Sequence, residues 1–120
     1  MRAIVQRTSS ASVAIDGKLV GSIGRGMLVL LGVHTSDEIS DADYIIKKLS
    51  GLRIFEDENG KTNLSVKDVD GEVLVISQFT LYADTKSNRP GFTKAGAPDV
   101  AEHLYEVFME QLRPQVRHVA

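Results

Sequence analysis

The feature that most constrains this sequence is one apolar run, Met27–Val33, interrupted only by Gly32. The run has the length of a strand and is far too short to cross a bilayer. Because it lacks polar alternation, it predicts a strand that is covered on both faces. We therefore expect this run to be the central strand of a sheet, with the rest of the chain arranged around it.

Shorter strand patterns lie on both sides of the central run. Strands are predicted over Arg2–Arg7, Ala11–Ile15, Lys18–Ile23, Arg53–Phe55, Glu72–Leu81 and, as a beginning, Gln115–Val119. Asp16-Gly17 and Asp70-Gly71 are dipeptides that favour two-residue hairpin turns, and residues 57–60 predict a further turn. With two helices placed among these hairpins, the order predicts a single α+β domain over residues 1–120 with a mostly antiparallel sheet.

The two helices are predicted from start signals and apolar spacing. Thr35 and Glu38 have the Thr-x-x-Glu form of a capping box, which predicts a helix start there. Pro98-Asp99 predicts the start of the second helix, which Pro114 ends. Spacings of three and four place the core faces at Ile39, Ala42, Ile45, Ile46, Leu49 and Leu52, and at Val100, Leu104, Val107, Phe108 and Leu112.

Composition excludes several classes of function. The chain has no cysteine, which excludes disulfide scaffolds, thiolate nucleophiles and cysteine metal sites. Its three histidines, His34, His103 and His118, lack the spacing of a zinc-binding helix, so no metal and no cofactor are expected. The net charge of −2 predicts that any nucleic-acid contact is local. Without a signal-peptide core or a long apolar segment, we expect a cytoplasmic protein with no membrane partner. We also expect no DNA partner.

The predicted strand Glu72–Leu81 breaks its own apolar pattern. Ser77-Gln78-Phe79-Thr80 places three hydrogen-bonding side chains before apolar Leu81. Strand alternation predicts Ser77, Phe79 and Leu81 on one face and Gln78 and Thr80 on the other. Polar groups there need partners or an open cleft, since an unpaired buried amide costs roughly 1–3 kcal/mol. A functional cleft and an ordinary structural role, with hydroxyls bonded to neighbouring backbone, both remain open.

A basic loop follows this strand. Residues 86–94 carry Lys86, Arg89 and Lys94 together with Phe92, and no acidic residue. Cations beside an aromatic ring suit phosphates and a stacked base, although an ordinary solvated loop has the same composition. Arg7, at the end of the first strand, is by itself typical of a surface arginine.

Taken with its surroundings, Ser77-Gln78-Phe79-Thr80-Leu81 resembles the Ser-Gln-Phe-Thr signature of the D-aminoacyl-tRNA deacylases, which free tRNA from D-amino acids. The resemblance extends along the chain, and its supporting stretches are Gln6-Arg7, Gly32-Val33, Arg53-Ile54-Phe55, Asn63-Leu64-Ser65-Val66, Arg89-Pro90-Gly91-Phe92 and Ala97-Pro98-Asp99. It implies a barrel-like α+β fold, a homodimer, and hydrolysis of the ester on the terminal adenosine of D-aminoacyl-tRNA, with glycyl-tRNA as a further substrate.

The resemblance also implies roles for individual residues. Thr80, Gln78 and Ser77 are the candidate catalytic residues, and the candidate substrate-binding residues are Phe79, Leu81, Arg7, Arg89 and Phe92. An activated ester needs oxyanion donors and a placed nucleophile rather than a metal. Two mechanisms fit: attack by Thr80, or positioning of the ester by the motif while the ribose hydroxyl of the substrate and water perform the reaction. We favour the second, because no base for Thr80 is visible in the sequence.

One element of the family pattern is missing from these residues. Family members continue into a C-terminal hairpin whose Gly-Pro pair excludes L-amino acids from the partner subunit's site, and Arg7 would brace it. No Gly-Pro dipeptide occurs here, and Pro90-Gly91 has the reverse order. Either this is a truncated form of a longer chain, which we favour, or it is a natural short variant that has lost stereochemical control. Two other hypotheses stay open: a non-catalytic module that binds the tRNA end, and a dimerising structural domain without a ligand.

Overall fold

The computed structural model describes residues 1–120 as two helices, seven strands and two short 3-10 turns. The strands are β1 (Arg2–Thr8), β2 (Ala11–Ile15), β3 (Lys18–Ile23), β4 (Gly26–Gly32), β5 (Phe55–Glu56), β6 (Thr62–Leu64) and β7 (Glu72–Ser77). The helices are α1 (Ile39–Gly51) and α2 (Pro98–Leu112), and the 3-10 turns are Phe79–Tyr82 and Arg113–Gln115.

The predicted central strand is confirmed. β4 lies between β1, which runs antiparallel to it, and β7, which runs parallel to it. The hairpins β2–β3 and β5–β6 are separate two-stranded antiparallel pairs, so most of the pairing is antiparallel, as predicted. The chain thus has the predicted α+β class, whereas closure into a barrel stays a prediction.

Only one face of the central sheet is fully covered. Met27, Val29 and Leu31 point toward the helices and are at most 1% exposed. Leu28 and Leu30 point the other way and are only half-buried. The expectation of a strand covered on both faces is therefore wrong for a single chain, because both helices pack on the same face of the sheet.

The helices form close to where they were predicted, with two differences. Glu38 rather than Thr35 caps α1, and its backbone N–H donates to the Asp41 carboxylate at 2.8 Å. The carboxylate of Asp37 instead accepts the backbone N–H of His34 at 2.6 Å, which turns the chain between β4 and the helix. In each helix the first residue predicted to be in the core is exposed: Ile39 of α1 is 49% exposed, and Val100 of α2 is 45% exposed.

Three strand predictions are wrong for reasons of pairing. Asp70-Gly71 forms a turn but no hairpin, because β6 pairs with β5 while β7 pairs with β4. At the C-terminal end, residues 113–115 continue α2 as a 3-10 turn, and backbone hydrogen bonds to β7 are made only within residues 118–120. β7 itself ends at Ser77 instead of Leu81, and this early end shapes the candidate site.

Candidate active site

The Ser-Gln-Phe-Thr segment lies where β7 stops and the backbone turns. Ser77 is the last residue of β7, and the Gln78 N–H donates to the carbonyl of Leu31 at 2.8 Å, which extends the contact with β4 by one residue. The chain then forms the 3-10 turn Phe79–Tyr82. This turn packs so closely on β4 that a Cβ at Gly32 would lie 3.0 Å from the Leu81 Cβ. The absence of a side chain at Gly32 therefore allows the turn to pack against the end of β4.

The turn overturns the predicted alternation of side chains. Phe79 is 58% exposed, and Ser77 and Thr80 are also exposed, whereas Leu81 is half-buried beneath the turn. The side-chain amide of Gln78 donates to the Thr80 hydroxyl oxygen. Side-chain partners and solvent thus satisfy the polar groups that interrupt the apolar pattern, and no buried strand has to accommodate them.

Two backbone donors at the start of the turn have no partner. The Gln78 and Leu81 N–H groups donate to Leu31 and Gln78 carbonyls, but the N–H groups of Phe79 and Thr80 donate to no atom of the chain. Unpaired N–H groups are expected at the first positions of any helical turn. Here the two residues that carry them are exposed.

An apolar groove of about 720 Å³ opens beside the turn. Its lining includes Ser77, Phe79, Phe92, Pro98, Ala101 and Tyr105. The rings of Phe79 and Phe92 meet edge to face, with their centroids 5.1 Å apart. Phe92 reaches the groove because Asp84 and Gly91 exchange two backbone hydrogen bonds, of 2.7 and 2.9 Å, which fold the basic loop back on itself. Sequence-distant Phe92 and Phe79 thus form one aromatic surface.

Tyr105 fixes one wall of this groove. Its hydroxyl donates to the Val75 carbonyl of β7 at 2.9 Å, so α2 is tied to the strand that carries the motif. Burial raises the pKa of the Tyr105 phenol, which keeps it protonated and able to donate. The sequence analysis did not select Tyr105, and its position in an amphipathic helix gave no signal beyond packing.

Arg2 supports the other end of the turn and was also missed. Its guanidinium donates to the Leu81 carbonyl at 2.7 Å and lies 4.6 Å from the centroid of the Tyr82 ring. His34 contacts the same ring edge to face at 5.2 Å. The antiparallel pairing of Arg2 with Gly32 explains the placement, since it brings the start of β1 to the end of β4.

Comparison with known proteins identifies the family and the fold. The sequence model of the D-Tyr-tRNA(Tyr) deacylase family matches residues 4–120. The chain belongs to the D-aminoacyl-tRNA deacylase family. The D-aminoacyl-tRNA deacylase of Thermotoga petrophila is 57% identical over 94% of this chain and 76% of its own length. The deacylase of Bacillus thuringiensis strain Al Hakam is 53% identical over 99% of this chain and 82% of its own length.

The fold of this deacylase family member is also seen in a solved structure, that of the c-Myc DNA Unwinding Element Binding Protein. The two structures superpose with a TM-score of 0.93 at 40% identity. The match covers 100% of this chain and 85% of the chain of that protein. The relatives at 53–57% identity are named D-aminoacyl-tRNA deacylases, which are hydrolases of the aminoacyl-tRNA ester. The family resemblance of the sequence is therefore confirmed, and with it the assignment of the chain to a family of enzymes.

The structure of this deacylase family member gathers only part of the predicted site. Ser77, Gln78, Phe79, Thr80 and Phe92 meet at the turn and the groove, as described above. Arg89 is exposed at the tip of the basic loop, where its backbone N–H donates to the Ser87 hydroxyl oxygen at 3.2 Å. Leu81 packs under the turn beside Gly32.

Arg7 lies at the other end of the sheet. It pairs with Met27, whereas Ser77 pairs with Leu31, so the length of β4 separates the two. Its guanidinium donates to the Ile54 carbonyl at 2.9 Å. A role for Arg7 in substrate binding stays a prediction, and within one chain nothing brings its side chain to the motif.

Two classes of feature are absent from the chain. No cluster of three His, Cys, Asp or Glu side chains is placed to hold a metal ion. Neither helix combines the length and the apolar composition needed to cross a membrane.

Proposed function

We propose that this chain hydrolyses the ester bond between a D-amino acid and the 3′-terminal adenosine of tRNA. The observation that carries the proposal is the pair of unpaired N–H groups, of Phe79 and Thr80, at the edge of an apolar groove. The names of the close relatives point to the same reaction. The groove offers Phe79 and Phe92 for stacking an adenine or an amino-acid side chain, and Ser77 is part of its lining.

The two backbone donors supply the main electrostatic element of this mechanism. Attack on the ester turns the carbonyl oxygen into an oxyanion, and preorganised N–H groups stabilise that charge more strongly than the neutral carbonyl. Backbone donors also need no reorganisation during the reaction, because β7 and the turn already hold them in place. Gln78 acts as a positioning residue, since its amide holds the Thr80 hydroxyl.

The nucleophile in this mechanism is water assisted by the ribose hydroxyl of the substrate. Thr80 bonds to no histidine or carboxylate, and its hydroxyl oxygen accepts from the Gln78 amide, which cannot remove a proton. The substrate itself has a hydroxyl adjacent to the ester. We therefore assign the proton transfers to that hydroxyl and water, and the placement of the ester to Thr80 and Gln78.

Glycyl-tRNA is a further substrate in this proposal. Glycine carries hydrogen at both positions on its α-carbon, so a site with room for a D-residue also has room for glycine. Duplex DNA is a poor partner for this chain, because its net charge is −2 and DNA binding draws on extended cationic surfaces.

The reaction is tested by incubating the purified chain with D-Tyr-tRNA and L-Tyr-tRNA. We expect release of free D-tyrosine well above the spontaneous rate, measured by separation of labelled amino acid from tRNA. Glycyl-tRNA in parallel tests the wider substrate range. Binding of tRNA without release of the amino acid would contradict the enzyme and support the non-catalytic module instead.

A homodimer completes this proposal, because the open face of the sheet is apolar. Ile4 of β1 is 51% exposed, and Leu28, Leu30 and Ile76 on the same face are only half-buried. A second copy related by a two-fold axis would cover this face. Because Arg7 and Ser77 lie at opposite ends of the sheet, antiparallel stacking of two copies would place the Arg7 end of one chain near the motif of the other.

The dimer is tested with Ile4→Glu. We expect the unchanged chain to sediment at twice its 13.1 kDa mass at micromolar concentration, and Ile4→Glu to sediment as a monomer, since the new charge would be buried. Tyr44→Glu is the matched control, because Tyr44 is 62% exposed on α1, which covers the opposite face of the sheet. A monomeric unchanged chain, or equal dissociation of both variants, would contradict this interface.

A further inference from the structure

A second cavity, of about 400 Å³, lies next to the same turn. Its lining includes Arg2, Tyr82, Asp84, Lys86 and Lys94, and we call it the cationic cavity. The turn joins it to the apolar groove, because Phe79 at the start of the turn lines the groove and Tyr82 at its end lines the cavity. Lys94 also directly precedes Ala95 of the groove lining.

The charge of this cavity is unbalanced. It has three cationic side chains and one carboxylate, in a chain whose net charge is −2. The ion pairs of the chain join Met1 to Asp37 and Arg117 to Asp70 and Glu72, so no salt bridge neutralises the cations of the cavity. The Asp84 carboxylate accepts the backbone N–H of Lys86 at 3.0 Å. It forms no ion pair with the ammonium group of Lys86.

The framework that carries these cations is fixed. Arg2 is held by its hydrogen bond to the Leu81 carbonyl and by the face of Tyr82. The Lys94 carbonyl accepts the Thr35 N–H at 3.0 Å, which anchors this part of the loop to the segment after β4. The two backbone hydrogen bonds between Asp84 and Gly91 hold Lys86 near the same opening. When an anion binds, ordering is then required mainly of the Lys86 and Lys94 side chains.

We propose that the cationic cavity binds the backbone phosphate next to the terminal adenosine of the tRNA 3′ end. The inference rests on the proposed function, because it places the ester at the turn. A ribose whose ester lies against the Phe79 and Thr80 N–H groups has its nearest backbone phosphate within one nucleotide of the turn. The cavity that adjoins the turn offers guanidinium and ammonium donors, which are the side chains that bind phosphate.

The site makes the enzyme selective for esters carried on a polynucleotide. An ester of free adenosine has the same scissile bond and the same base but no phosphate. Binding energy from Lys86 and Lys94 is therefore available only to the tRNA substrate, and it lowers KM for that substrate rather than changing the chemical step.

The test uses the double variant Lys86→Ala/Lys94→Ala with two substrates, D-Tyr-tRNA and D-tyrosyl-adenosine. We expect the ratio of kcat/KM for D-Tyr-tRNA to that for D-tyrosyl-adenosine to fall about 10-fold, through KM. The salt dependence of binding to a single-stranded RNA ending in CCA is a second readout. The slope of the logarithm of the binding constant against the logarithm of the salt concentration should become shallower by about 0.7 for each phosphate contact that is lost.

The matched control is Lys47→Ala/Lys48→Ala, which removes the same charge from exposed positions of α1. Equal losses in both double variants would overturn the site, because a general field effect would then explain them. The site would also be overturned if Lys86→Ala/Lys94→Ala left both the kcat/KM ratio of the two substrates and the salt slope of RNA binding unchanged. The same holds if the cavity binds inorganic phosphate but contributes nothing to RNA binding. If the unchanged chain hydrolyses neither substrate, the proposed function fails, and the salt slope of RNA binding still decides the phosphate site.

Discussion

Phe79→Pro is expected to hydrolyse D-Tyr-tRNA about 100-fold to 1,000-fold more slowly than Phe79→Ala, in kcat. Both variants lack the aromatic ring, but only the proline variant also lacks the backbone N–H. The difference between them therefore isolates the contribution of one donor to stabilising the oxyanion. Single-turnover kinetics at saturating enzyme measure the two rates directly.

The proline is expected to fit without disturbing the fold. Phe79 is the first residue of the 3-10 turn, a position where proline is tolerated because its N–H has no partner. Gln78 is extended, with φ −142° and ψ 91°, and so lies outside the α region that a following proline disfavours. Urea unfolding should give free energies for the two variants within about 1 kcal/mol of each other. Equal kcat values in two folded variants would exclude the Phe79 N–H from the mechanism.

A D-aminoacyl-tRNA that ends in 2′-deoxyadenosine is expected to react about 100-fold to 10,000-fold more slowly than the ribose substrate, the usual range for loss of a proton-transfer group. The reason is that the chain offers no base to Thr80, so the ribose hydroxyl must take part. Thr80→Ala is the complementary measurement. It should lower kcat only a few-fold, because Thr80 positions the ester through its contact with Gln78.

Two results would contradict this assignment. Undiminished turnover of the deoxy substrate would remove the ribose hydroxyl from the reaction. A covalent ester on Thr80, trapped by acid quench and located by mass spectrometry, would establish Thr80 as the nucleophile. In that case Thr80→Ala would lose nearly all activity.

Local sequence patterns predicted the elements whose structure depends on near neighbours. Asp16 and Gly17 have φ values of +51° and +76°, as the two-residue hairpin turn requires, and β2 and β3 pair around them. The run from Met27 forms the central strand, and Ala42, Ile46 and Leu49 form the buried face of α1. These features follow from periodicity and turn chemistry, both of which can be read within a short segment of sequence.

The sequence pattern failed where a contact with a distant segment decides the conformation. Leu81 restored the apolar alternation and so predicted that the strand continued past Ser77. The strand instead ends there because the end of β4 offers Gly32 as a surface on which a turn can pack. Likewise, the second apolar face of β4 indicated a covering layer, which the chain itself provides only in part.

The sequence by itself determined the family, the α+β class and the motif, because each is written in consecutive residues or in regular spacing. Only the tertiary structure decided which groups meet at the motif. It brought Arg2 to the turn through antiparallel pairing, folded Phe92 onto Phe79, and left the Phe79 and Thr80 N–H groups unpaired. It also placed Arg7 at the far end of the sheet. These arrangements depend on strand register and on turns between distant segments, which the order of residues does not reveal.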